Sequence, residues 1–264
     1  MDEVNSQKFP ECFGFRSGPR GVHTSRTIMF TELHDLLAAL PATASREEYR
    51  QAILRDNVLG KKTLATRRGT AKRLRELYAL DRRVPLFRLL RFFWNVDQQG
   101  LRLLAFLCAS ARDPLLRLTA PPVLTAKEGE IVTKESLEKA VEEAAPDRFK
   151  PGICQAIARR AASSWTQAGH LNGHVVKKRS HPVVTPANTA YALILGYLCG
   201  IRGQLLLTTY WARLLDVPTN RIARLAAEAS RRGWLNFRQA AGVIEIRFPD
   251  LLTAAEKEML RGED

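Results

Sequence analysis

Arg221, Arg224 and Arg231 stand three and seven positions apart, interleaved with Ile222, Leu225, Ala226 and Ala229. At helical spacing those residues sort onto two faces, one apolar and one cationic. Guanidinium groups on an exposed face can donate charge-assisted hydrogen bonds to phosphate oxygens, or paired bonds to the outer edge of guanine. Arg238 follows a few residues later. A second set comprises Lys61, Lys62, Arg67, Arg68, Lys72 and Arg75, joined by Arg73, Arg82 and Arg83 and opposed only by Glu76 and Asp81. Spacings of four and three put Arg68, Lys72 and Arg75 on one helix face, where each like-charge pair costs roughly 0.2–0.5 kcal/mol. Such a strip calls for a counter-charge, either a polyanionic ligand or the acidic stretch 135–143 of the same chain. Lys177, Lys178 and Arg179 form a third basic site in the long polar run 167–186. This is the chemistry of holding a polyanion.

Residues for bond-making chemistry do not assemble in the same way. The chain has no G-x-x-x-x-G-K-[ST], no G-x-G-x-x-G after a strand, no H-E-x-x-H and no G-x-S-x-G. His170, His174 and His181 suggest a metal, but Gly173 interrupts their helical spacing and no acidic or cysteine ligand is close in sequence. Ser163, Ser164 and Thr166 offer hydroxyls without an evident base. No catalytic residue, metal or other cofactor is expected, and the chain reads as non-enzymatic.

The elements that must position the cations read as follows. Residues 1–27 are rich in Gly, Pro and charge and form an irregular arm. Residues 28–118 form a helical bundle with a basic face. Its helices cover 29–40, 45–57 (opened by a Ser45/Glu48 capping box), 66–80, a segment beginning at Pro85, and 100–112. Residues 119–132, with Pro121 and Pro122, read as a linker. Residues 133–264 form a second helical domain: an acidic helix to 144, a helix over 153–165, then helices over 189–199, 205–215 and 220–232. Strands at 234–238 and 243–248 follow, with a loop at 239–242 between them. Three helices and a hairpin over about 187–250 have the order of a winged helix, whose third helix enters the major groove while the wing reaches the backbone. The fold class is therefore mainly α, a helical bundle plus a winged-helix-like domain with a small β-hairpin.

Bulk properties agree. Among 264 residues the formal charge is +14, which favours a polyanionic partner. Cys12, Cys108, Cys154 and Cys199 make no C-x-x-C pair and read as reduced residues of a cytoplasmic protein. The most apolar stretch, 190–207, is broken by Gly196, Gly200, Arg202 and Gly203, so no membrane span is expected.

The run Asn57-Val58-Leu59-Gly60-Lys61-Lys62-Thr63 continuing to Thr66 and Arg67, then Leu74 to Tyr78, resembles the BrxA family of BREX bacteriophage-exclusion systems. So do Arg112-Asp113-Pro114-Leu115-Leu116-Arg117, and Ser163-Ser164-Trp165-Thr166-Gln167-Ala168-Gly169-His170-Leu171 with Lys177 to Arg179. The similarity covers roughly residues 30 to 250. It implies a mostly helical double-stranded-DNA-binding accessory protein acting beside a methyltransferase and large ATPases, with no catalytic residues to carry over. A winged-helix transcription regulator and a scaffold docking an acidic protein remain the other readings.

Overall fold

Capping residues and prolines set most helix boundaries in the computed structural model, which describes residues 9–18, 20–240 and 242–261. Residues 1–8 and 19 of the expected arm, residue 241 of the expected hairpin loop and the last three residues lie outside the described residues. A strap with 3-10 turns at Glu11–Phe13 and Val22–Thr24 leads into α1 (Phe30–Ala39), α2 (Arg46–Leu54), α3 (Leu64–Tyr78), α4 (Pro85–Val96) and α5 (Leu101–Arg112). Next come α6 (Pro114–Leu118), α7 (Ala120–Thr125), α8 (Lys134–Ala144) and α9 (Pro151–Ala168). A short antiparallel hairpin, β1 (Leu171–Asn172) and β2 (Lys178–Arg179), precedes α10 (Pro186–Leu198), a 3-10 turn at Gly203–Thr208 and α11 (Tyr210–Arg213). The chain ends in α12 (Thr219–Arg231), the antiparallel strands β3 (Asn236–Ala240) and β4 (Val243–Arg247), and α13 (Ala254–Arg261). The protein is mainly helical with small two-stranded hairpins.

Ser45 opens α2 with the expected capping box: its hydroxyl accepts from Glu48 N, and the Glu48 carboxylate accepts from Ser45 N at 2.7 Å. Thr63 caps α3, which starts two residues earlier than expected, by accepting from Thr66 N. Pro121 and Pro122 mark no break. They occupy the first turn of α7, where a missing N–H costs nothing, and Ala120 and Val123 are buried. The helix expected over 205–215 is instead a 3-10 turn and the one-turn α11, separated by Thr209, whose hydroxyl caps α11 at Ala212 N. The strands run further into the expected 239–242 loop, since Ala240 pairs with Val243.

The apolar core is continuous from Phe13 to Leu260 and includes residues on both sides of 119–132. Helices α5 and α10 are its centre, each buried on nearly every side. α5 packs against α3, α4, α9 and α10, while α10 in turn carries α11 and α12. The described part of the N-terminal arm is a strap whose Phe13, Phe15 and Val22 enter this core.

Asp113, between α5 and α6, fastens that strap. Its Oδ2 accepts from Val22 N at 2.6 Å, His23 N at 3.1 Å and His23 Nδ1 at 2.8 Å, while Oδ1 accepts from Leu115 N at 3.0 Å. The other ring nitrogen, His23 Nε2, lies 2.8 Å from Ser164 Oγ on α9, and that hydroxyl also accepts from Ile28 N and donates to Arg160 O. Burial penalises the charged carboxylate, but the His23 ring and the two strap N–H groups outweigh it and hold Asp113 below the ordinary carboxylate range.

Replacing Asp113 with Ala strands these donors in the interior and is expected to cost roughly 3–5 kcal/mol. Gly21→Ala should also destabilise, because a Cβ there would overlap Asp113 Oδ1 and lie 2.8 Å from Leu115 Cγ. Urea unfolding checks both against Asp35→Ala, an exposed change expected to stay within about 0.5 kcal/mol. Equal midpoints for all three would contradict the assignment.

Candidate nucleic-acid interface

Pro218 precedes α12 with φ −58°, and the helix then buries Ile222, Ala226 and Ala229 against α10. Arg221, Arg224 and Arg231 are exposed, within an arc of about 80° at ~3.6 residues per turn. Among the described residues no ion pair engages any of the three. Beyond the helix, Gly233 takes φ 75°, a left-handed turn that glycine adopts without Cβ strain. Trp234 then packs edge-on against Phe93 at 5.7 Å, with Arg232 stacked over it. Ser230 Oγ accepts from Phe237 N at 3.1 Å, tying the first strand of the hairpin to the helix. Arg238 is exposed opposite Glu245, two pairs back from the end of the hairpin, and that carboxylate already pairs with Arg247. The arrangement sets a rigid cationic helix face beside an exposed, cation-bearing hairpin.

The other end of α12 is held by the first hairpin. Arg179, expected on the surface, is 2% exposed: Nη2 pairs with Asp216 Oδ1 at 2.6 Å and Nη1 donates to His170 O at 3.0 Å. It is removed from the candidate DNA-binding set. The run Lys177-Lys178-Arg179 enters a strand, where neighbouring side chains alternate faces, so the run cannot present all its cations outward. Lys178 is exposed; Lys177 is half-buried and donates to Gly173 O at 2.7 Å. His181 Nδ1 reaches Asp216 Oδ2 at 2.7 Å, and His170 Nε2 donates to Leu214 O at 2.9 Å. Asp216, with φ 58°, is thus pinned just ahead of α12. His170 Nδ1 has no hydrogen-bond partner among the described residues. Burial beside Trp165 and Phe106 pushes the ring's pKa down to about 4, with Arg179 and His181 adding to the fall against Leu214 O and Asp216.

The second basic set is divided by the structure. Lys61 pairs with Glu32 at 3.0 Å. Arg67 donates to Lys61 O and Leu54 O, closing the C-terminal end of α2, and so both residues have structural partners. Lys62, Arg68, Lys72 and Arg75 are exposed or half-buried at the surface. The last three line a groove of about 940 Å³ between α2 and α3, whose other wall carries Arg46 and Arg50 and whose end carries Arg82 and Arg83. Seven cations meet two carboxylates there, Glu47 and Asp81. Glu47 pairs with Arg50 at 2.9 Å. Arg83 donates to Asp81 and holds its carboxyl below the ordinary range. Arg46 and Arg50 escaped the sequence reading, although their i,i+4 spacing behind the Ser45 cap puts them on one face. The acidic helix α8 packs on α9, α6 and α7, and its charges make internal Lys134–Glu138 and Lys139–Glu143 pairs.

No protein-family model matches the chain, and no curated protein matches it. The resemblance to the BrxA family therefore stands on the residue runs quoted above. Among the described residues no three His, Cys, Asp or Glu side chains group as metal ligands, and no helix is long and apolar enough to cross a membrane. Ser164 does meet a base, contrary to the sequence reading: Asp113, His23 and Ser164 have the connectivity of a nucleophile relay. All three are fully buried, and none lines the α2–α3 groove. As placed, the chain of hydrogen bonds is interior scaffolding.

The His170 clamp has a pH signature. The folded ring takes up its proton near pH 4 and the unfolded one near 6.5, so the unfolded state binds more protons between those values. This ring's contribution to stability is complete above about pH 6.5 and falls as the pH drops toward 4, by about 2 kcal/mol at pH 5. His170→Gln should show a smaller loss between pH 7 and pH 5 in urea unfolding. An unchanged pH dependence would mean that the buried ring titrates normally.

Proposed function

We propose that this chain is a non-enzymatic double-stranded-DNA-binding protein that docks α12 in the major groove, with the β3–β4 hairpin as its wing. The observation that carries this reading is the outward set Arg221, Arg224 and Arg231 on a helix followed directly by a hairpin bearing exposed Arg238. The order α10, α11, α12, β3, β4, three helices and then a hairpin, supports reading this part as a winged helix, although α11 is a single turn. An excess of +14 adds a long-range attraction for a polyanion, and the α2–α3 groove adds a second cationic surface. Taken with the resemblance to the BrxA family, the reading extends to an accessory role in a BREX-type antiphage system, in the cytoplasm beside a methyltransferase and ATPases.

Fluorescence anisotropy of a labelled random duplex, titrated at several salt concentrations, tests the DNA reading. Micromolar or tighter binding is expected, weakening steeply with salt. Reversing Arg221, Arg224 and Arg231 to Glu should weaken it more than about tenfold and flatten the log–log salt slope by about 0.9 for each phosphate no longer neutralised. Absence of binding at low salt by folded protein would refute the reading and assign the cationic faces to an acidic protein partner.

A further inference from the structure

The two cationic surfaces are carried by elements that do not pack on each other. α3 packs on α5, α5 packs on α10, and α10 packs on α12. With interaxial distances of roughly 8–10 Å for each packed pair, this chain of contacts puts the axes of α3 and α12 at most about 30 Å apart. Each helix turns its apolar residues toward this shared interior: Leu74 and Leu77 from α3, Ile222, Ala226 and Ala229 from α12. The cations occupy the sides turned away from that interior.

The groove has the features of a phosphate-binding surface of its own. Two helices supply its walls, Arg46 and Arg50 on one and Arg68, Lys72 and Arg75 on the other. The acidic helix that would be the natural internal counter-charge packs elsewhere, on α9. Building like charges on facing walls is unfavourable until a polyanion enters between them.

We propose, resting on the DNA reading above, that one molecule holds two DNA segments at once, one on α12 and its hairpin and one in the α2–α3 groove. The protein would then bridge duplexes, or two distant stretches of one duplex. Linking two sites through a rigid body makes the second capture depend on local concentration, with no further interaction needed.

The test is capture of a fluorescent duplex by a second, biotinylated duplex on beads, run alongside single-duplex anisotropy. Wild-type protein should retain the fluorescent duplex, with capture rising and then falling as excess protein fills each duplex separately. One variant reverses Arg221, Arg224 and Arg231 to Glu, and the other reverses Arg68, Lys72 and Arg75 to Glu. Each should bind a single duplex only through its remaining face and correspondingly more weakly, yet at protein concentrations that saturate that remaining site fall at least about tenfold in capture. An equal mixture of the two variants should not restore capture. Restoration would show that bridging comes from association between molecules and would overturn the proposal. So would full capture by either variant, or wild-type protein that binds one duplex and never captures a second; that last result leaves the DNA reading intact. Failure of both assays by folded wild-type protein would remove the DNA reading and the bridging together.

Discussion

A single buried carboxylate organises the N-terminal half of this protein. An unpaired carboxylate in an apolar interior is too costly to persist, so Asp113 is stable only if every donor around it stays in place. Those donors come from three places: the first turn of α6, the strap at Val22 and His23, and, through the imidazole, Ser164 on α9. The strap is thereby fixed at one position along α5 and α9. Tyr78, near the end of α3, donates to Ile28 O on the same strap at 2.5 Å. The placement of the basic helix α3 follows from a carboxylate that is wholly shielded from solvent.

The same economy explains the charge distribution. The protein has far fewer carboxylates than cations, and several of them are committed internally: Asp113 to the strap, Asp216 to Arg179, Glu32 to Lys61 and Glu256 to Arg88. Asp216, Glu32 and Glu256 each take up one cation as well, so these pairs leave the formal excess of +14 undiminished. The surface is therefore strongly basic, and α12 and the α2–α3 groove carry part of that surplus on ordered helices. A surplus placed on ordered helices costs less to engage than one on a loop, because little ordering remains to be done on binding.

Local features were legible in the sequence, and long-range ones were not. The period of α12, the glycine after it, the paired strands and the Ser45 box all rest on residues within a few positions of one another, which is where helical and strand periodicity carry information. The position of Arg68, Lys72 and Arg75 on one face followed from spacing alone. The Asp113–His23–Ser164 chain joins residues 90 and 141 positions apart, and no local pattern links them. Arg179 misled because a basic run reads as surface, whereas a strand must turn alternate residues inward, and there the half-buried Asp216 meets it. Pro121-Pro122 misled for the opposite reason, since proline breaks a helix interior but suits its first turn.

The fixing of α12 at both ends constrains what it can do on a duplex. Asp216 holds the residues before it, while Trp234 and the Ser230–Phe237 bond hold those after it. Arg221 and Arg231 are separated by about 15 Å along the axis at ~1.5 Å per residue, slightly more than the ~12 Å width of the major groove. In the proposed complex, a helix lying across the groove would bring the outer arginines to the phosphates that border it and leave Arg224 between them to face base edges. One reading arginine between two anchoring ones specifies little sequence. Under the proposed DNA reading, a helix so built would favour affinity for the backbone over discrimination among bases.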